Sequence, residues 1–139
     1  MGHAPSLMSK INFEDVQAAQ KRHDILVSTL DAGNQTCLIS GTVAVGVEET
    51  LLNEHMRKDR NICIILYGMN AVDPSLVAKY DQLLTLGFYN VHIYAGGLFE
   101  WLLLQDVYGF EAFPTTTKDA DLLRYKGRAK LNVLMLGPS

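Results

Sequence analysis

Asn61-Ile62-Cys63-Ile64-Ile65-Leu66-Tyr67-Gly68-Met69-Asn70-Ala71-Val72-Asp73 is the stretch that decides the fold. Ile62–Tyr67 is apolar throughout and rich in isoleucine, as expected of a central parallel strand covered on both faces. Gly68 ends it, and a short loop runs on to Asp73. Pro74 then opens a helix where its missing N–H costs nothing, with Asp73 as the cap. A loop that leaves the carboxyl end of a parallel strand and enters a helix is a common place for an α/β fold to hold its ligand.

Downstream, Leu76, Val77, Tyr80, Leu83 and Leu84 share one helical face, and Gly87 caps the helix end. Val91–Tyr94 reads as a further parallel strand, Gly96-Gly97 as a turn, and Leu98 to Tyr108 as a helix. Beyond Gly109 an irregular stretch holds Pro114, and Thr116 with Asp119 reads as the cap pair of a short helix. Upstream, Asn12 and Asp15 cap a helix that reaches about His23, with Phe13, Val16 and either Ala19 or Gln20 turned inward. Ile25–Leu30 is a strand and Asp31–Asn34 a turn. Cys37–Thr42 is a loop into a short strand around Val43–Val47, followed by a helix from about Glu48 to Arg57. Strands alternating with helices across short turns predict one α/β domain with a mostly parallel sheet.

With 139 residues the chain suits one domain with a real core. A net charge of −3 gives no support for nucleic acid or an anionic membrane surface as partner, and no apolar run reaches the length of a membrane span. Residues 1–9 read as a leader or expression remnant, 10–125 as the domain and 126–139 as a C-terminal tail. Met1-Gly2 with Ser6 matches the loose pattern of a myristoylation signal, which a leader remnant explains equally. Cys37 and Cys63 fit no zinc or CxxC spacing, so reduced thiols and an intracellular, cytoplasmic setting are expected. His3, His23, His55 and His92 are scattered without ligand spacing, and neither a metal nor a cofactor is expected. No P-loop, dinucleotide fingerprint or serine nucleophile elbow is present in the sequence.

The apolar strand Ile62–Tyr67, its loop, and the run LLTLGFYNVHIYAGGLFEW after it resemble the rhodanese-like domain family. In that family a Leu-x-x-x-Gly-Phe element, a strand, a Gly-Gly pair and a Trp follow the active-site loop. Here these are Leu83, Gly87, Phe88, Val91, Gly96, Gly97 and Trp101. Cys37–Val43 is similar to the family's Gly-His-Ile-Pro-Gly-Ala motif, with Ile39 and Gly41 kept and Leu38 and Ser40 where His and Pro are usual. The resemblance spans Lys10 to Phe113 and implies a three-layer domain with a five-stranded, mostly parallel sheet flanked by helices.

The departures from the family pattern bear on function. The resemblance places the catalytic cysteine directly after the aromatic residue that closes the strand; that residue is Tyr67, and the next is Gly68. The family's acidic residue and arginine near the end of the early strand align with Ser28 and Leu30. Gly68, Met69, Asn70, Ala71, Val72 and Asp73 therefore form a vestigial active-site loop with neither thiol nor cation. Sulfur transfer needs a thiolate to attack the sulfane sulfur, and anion chemistry on this loop needs an arginine. Loop N–H groups retain some capacity for a small anion, unless Asp73 itself caps them.

The segment Leu98–Tyr108 is apolar around most of its circumference. Leu98, Trp101, Leu102 and Gln105 form an inner face, so either the C-terminal segment covers the rest or Phe99, Trp101, Leu103 and Leu104 present a partner surface. Lys118, Arg124, Lys126, Arg128 and Lys130 make a basic run that reads as a solvated tail. The expected function is that of a catalytically inactive binding or scaffold module, for a small anion, an unknown protein partner or a second copy. The alternative is a divergent sulfurtransferase that uses Cys37 or a partner's thiol.

Overall fold

The computed structural model describes residues 8–119, 121–127, 129 and 131. Residues 1–7 of the expected leader, with His3, the positions Ala120, Arg128 and Lys130, and the terminal stretch 132–139 lie outside them.

The elements follow the hydrophobic pattern. They are β1 (Lys10–Ile11), α1 (Phe13–Arg22), β2 (Ile25–Ser28), α2 (Val45–Lys58), β3 (Ile64–Tyr67), α3 (Ser75–Thr85), β4 (Val91–Tyr94) and α4 (Gly97–Tyr108), with short 3-10 turns at Ala32–Asn34 and Leu122–Tyr125. The Asn12 side chain accepts from Glu14 N–H and Asp15 N–H, while the Asp15 carboxylate accepts from Asn12 N–H, so α1 starts with a complete capping box. Gly87, at φ +99, closes α3 as expected.

All strand pairs are parallel, in the order β1-β4-β3-β2. The side chains of each strand alternate between two cores. Leu26, Ile65, Tyr67 and Tyr94 face Val16 and Ala19 of α1 and Leu98, Trp101 and Leu102 of α4. Ile25, Val27, Ile64, Leu66, Val91 and Ile93 face Leu52 of α2 and Leu76, Tyr80 and Leu83 of α3. The result is the expected three-layer α/β domain, with β3 central.

The sheet departs from expectation at its edge. Among the described residues it has four strands rather than five. The strand expected around Val43–Val47 contracts to one bridge, Leu26 to Thr42, with Val43 N–H on the Leu26 carbonyl at 2.8 Å. The chain turns at Ala44 and α2 begins at Val45, so Val45 and Val47 lie exposed on its first turns. Alternating valines imitate a half-buried strand, and the helix overrides them. Within the expected leader, Met8 packs partly buried against the core shared by the sheet, α2 and α3, and Ser9 contributes a carbonyl to Ile93 N–H at 2.8 Å.

The C-terminal segment also differs from expectation. Thr116 caps no helix; its hydroxyl accepts from Leu38 N–H at 3.0 Å and its N–H donates to the Leu38 carbonyl at 2.7 Å. Asp119 binds the Tyr125 hydroxyl at 2.7 Å, and Tyr125 is fully buried in the α1/α4 core. No helix among the described residues is long and apolar enough to cross a membrane.

Candidate functional site

The loop Gly68–Asp73 leaves the carboxyl end of β3, as the strand pattern requires, and Asp73 organises it. One carboxylate oxygen of Asp73 accepts from Ser75 N–H at 3.0 Å and the Ser75 hydroxyl at 2.6 Å, and so caps α3. The other accepts from Met69 N–H at 3.1 Å. The Ser75 hydroxyl also lies 2.7 Å from Thr29 Oγ1, which ties the loop to the end of β2. Within the loop, Asn70 Oδ1 takes Val72 N–H and the Asn70 carbonyl takes Asp73 N–H.

Gly68 occupies the position at which the family resemblance expects a thiol. A Cβ there would stand 2.5 Å from Asp73 Oδ2, 2.9 Å from Asp73 Cγ and 3.0 Å from Thr29 Oγ1. The Asp73 carboxylate thus fills the space in which a side chain at 68 would begin, and it takes loop N–H groups that would otherwise face an anion.

The first turn of α4 fixes the loop from the other side. Leu98 N–H donates to the Gly68 carbonyl at 2.9 Å and Phe99 N–H to the Met69 carbonyl at 2.8 Å. Gly97, at φ +68, lies so close that a Cβ would stand 2.8 Å from the Gly68 carbonyl oxygen and 3.0 Å from Asn70 N. Only glycine fits both the conformation and the contact.

Behind the loop, Tyr67 is fully buried, and its hydroxyl accepts from Ile39 N–H at 3.1 Å and lies 2.6 Å from Thr42 Oγ1. Burial pushes this phenol well above its ordinary range. Tyr67 therefore holds the Cys37–Thr42 segment against β3 as a neutral hydrogen-bonding group.

A cleft of about 840 Å³ opens over the loop. Its floor is Met69, Asn70, Val72 and Asp73, and one wall is Thr29, Leu30 and Asp31 from the end of β2. The opposite wall is Leu123, Arg124 and Lys126. The expected loop without a cation thus acquires two cations from a segment more than fifty residues downstream, Arg124 lying at the end of the domain as delimited from sequence and Lys126 at the start of the expected tail. Asn70 Nδ2 donates to the Tyr125 carbonyl at 2.8 Å and fixes that wall to the loop. Arg124 Nη2 donates to Asn34 Oδ1 at 3.0 Å, and Nη1 lies 3.5 Å from Asp119. The Tyr125 hydroxyl, the Asp121 N–H and Arg124 together hold the Asp119 carboxyl below the ordinary range.

Neither thiol lines this cleft. Cys37 is 2% exposed and its Sγ lies 3.4 Å from the Thr117 carbonyl, as a thiol donor. Cys63 precedes β3 at the opposite end of the strand from Gly68, and burial, then Asp24, push its thiol upward. No group of His, Cys, Asp and Glu that could hold a metal occurs among the described residues.

The expected partner surface divides. Trp101 is fully buried: its Nε1 donates to the Pro114 carbonyl at 3.1 Å, and Phe113 meets its ring edge-on with centroids 5.1 Å apart. It belongs to the core, because the C-terminal segment folds back over α4. Phe99 and Leu104 pack partly into the same core. Leu103 alone of the four stands 40% exposed, continued by Val107 and Tyr108.

Comparison with known proteins bears on the fold. The Rhodanese-like domain family model matches residues 13–104, well over half of the chain. The solution structure of the rhodanese-like domain from the Anabaena sp. Alr3790 protein superposes with a TM-score of 0.57 at 18% identity, covering 91% of this chain and 92% of that one. A crystal structure of the Alr3790 protein gives 0.56 at 18% identity over 82% and 97% of the two chains. The Bacillus halodurans BH2092 protein gives 0.57 at 19% identity over 75% and 76%. No curated protein matches the sequence. At these identities the structural neighbours speak for the fold, and the family match extends from α1 into α4. The chain belongs to the rhodanese-like domain family.

Proposed function

We propose that this rhodanese-like domain is catalytically inactive and serves as a binding module, with the cleft over Gly68–Asp73 as its binding element. The observation that carries this reading is the Asp73 carboxylate, 2.5 Å from where a Cβ at position 68 would stand. A persulfide carrier needs a thiolate at the helix N-terminus with N–H groups free to stabilise it. Here the position is glycine, and a carboxylate takes those N–H groups. The cleft itself is of ligand size, with apolar surface and a few convergent polar groups.

Sulfur transfer through Cys37 is the competing reading. Its thiol is buried, hydrogen-bonded to a carbonyl and absent from the cleft lining, all of which weigh against it. Both cysteines are free, which fits a reducing, intracellular setting. Thiocyanate formation from thiosulfate and cyanide is the discriminating assay. The protein is expected to give no more product than its Cys37→Ser and Cys63→Ser variants. Turnover that disappears in Cys37→Ser overturns the proposal.

A further inference from the structure

The cleft carries the carboxylates of Asp31 and Asp73 on one side, Asp31 accepting from Asn34 Nδ2 at 2.6 Å, and the cations of Arg124 and Lys126 on the other. On the loop side Asp73 is saturated by Met69 N–H, Ser75 N–H and the Ser75 hydroxyl, so it repels an anion and offers little to a cation. A tetrahedral anion seated on the α3 N-terminus would meet this carboxylate first. On the opposite wall Arg124 is shared with Asn34 and Asp119, whereas the Lys126 ammonium has no ion-pair or hydrogen-bond partner among the described residues, its backbone N–H donating to the Leu123 carbonyl. Lys126 lines the cleft, and the next residue, Gly127, lies against Val72, where an added Cβ would stand 3.0 Å from Val72 Cγ2.

Apolar surface lies at the same rim. Val72 is 56% and Leu123 63% exposed, and both line the cleft together with Leu30 and Met69. Two large exposed apolar side chains converging on one concavity, with an unneutralised ammonium beside them, favour an occupant that has an apolar body and a negative end.

We propose that the cleft takes a small amphipathic monoanion, a carboxylate on an aliphatic or aromatic body, whose charge pairs with Lys126 beside Arg124 and whose body covers Val72 and Leu123. The proposal rests on the binding-module reading above and names the ligand class for that site. Binding is non-covalent, and nothing on the ligand is transformed.

The test is a titration of the full chain, labelled with ¹⁵N, with three probes followed by amide shifts. Octanoate carries the body and the charge, octylammonium the same body with the opposite charge, and inorganic phosphate charge without a body. Octanoate is expected to shift the amides of Met69, Val72, Leu123 and Lys126 and to saturate. Its affinity is expected to fall about fivefold in Lys126→Glu, an exposed position whose reversal leaves the remaining spectrum in place. Phosphate is expected to leave those amides unmoved. Octylammonium binding more tightly than octanoate, equal octanoate affinity in Lys126→Glu, phosphate producing the same shifts, or no saturation by octanoate each overturns the ligand class. The first three of these outcomes leave a binding module in place, whereas failure of that reading shows separately, as thiocyanate formation lost in Cys37→Ser.

Discussion

Two neighbouring regions meet at the carboxyl end of β3 under different constraints. In the first turn of α4, Gly97 is constrained by backbone: its φ is +68, and the Gly68 carbonyl and Asn70 N lie where a Cβ would go. In the loop Gly68–Asp73, Gly68 is constrained by a side chain, the carboxylate of Asp73. The α4 turn holds the family's architecture, because Leu98 and Phe99 donate to the loop carbonyls and Trp101 anchors the helix in the core. In the loop, the Asp73 carboxylate occupies the space that a side chain at position 68 would enter. Two adjoining glycines at one end of a strand are thus required for different reasons, one by the backbone around it and one by a side chain.

The comparison is broken most severely at Trp101. Trp101→Ala removes a fully buried ring and the bond to Pro114, and should cost about 3–5 kcal/mol in a urea melt. A loss below about 1 kcal/mol would mean that the C-terminal segment does not cover α4 as described. Gly97→Ala comes next, at about 2–4 kcal/mol, since it meets both left-handed strain and backbone overlap. No second substitution should rescue it. Gly68→Ala should cost about 1–3 kcal/mol, but in an Asp73→Ala background this penalty should shrink to under about 1 kcal/mol. Additive losses in that cycle would place the obstruction somewhere other than Asp73.

Titration sharpens the contrast with smaller effects. Burial, first of all, holds Tyr67, Tyr94 and Tyr125 neutral above the ordinary tyrosine range. The unfolded chain ionises near pH ~10, so stability is fully present below that pH and falls as pH rises beyond it. A thermal-melt series at alkaline pH should show this loss, reduced in Tyr125→Phe. Asp119 has the opposite sign. Its carboxyl is held low by the Tyr125 hydroxyl, so its contribution is present above the unfolded value of about 4 and is lost as pH falls through the folded value. The group is accessible enough that this is the smallest effect, read best as local loosening of the Leu122–Tyr125 turn by amide exchange in mild acid.

The frame was legible in the sequence because it is written in local signals. Apolar strands, the Asn12/Asp15 capping box, the Asp73-Pro74 helix start and Gly87 each specify their element within a few residues. Val43–Val47 was misleading because alternating valines at the start of α2 mimic a strand and end up exposed. The cleft was legible only in half. Its floor comes from the loop, but Arg124 and Lys126 arrive through long-range packing of Tyr125 under the core and the bond from Asn70 to the Tyr125 carbonyl. Nothing in a local basic run distinguishes that wall from a solvated tail. Trp101 fits both an inner face and a partner surface in the sequence for the same reason: Phe113 and Pro114, which cover it, are ordered by tertiary contacts.

Restoring the thiol tests the central claim most directly. Gly68→Cys alone and Gly68→Cys combined with Asp73→Ala are each exposed to thiosulfate, and a persulfide on the introduced thiol is read by intact-protein mass spectrometry. If the Asp73 carboxylate occupies the reactive position, the single variant stays unmodified and the double variant gains sulfur. Persulfide formation by the single variant, equal to that of the double, would contradict the account.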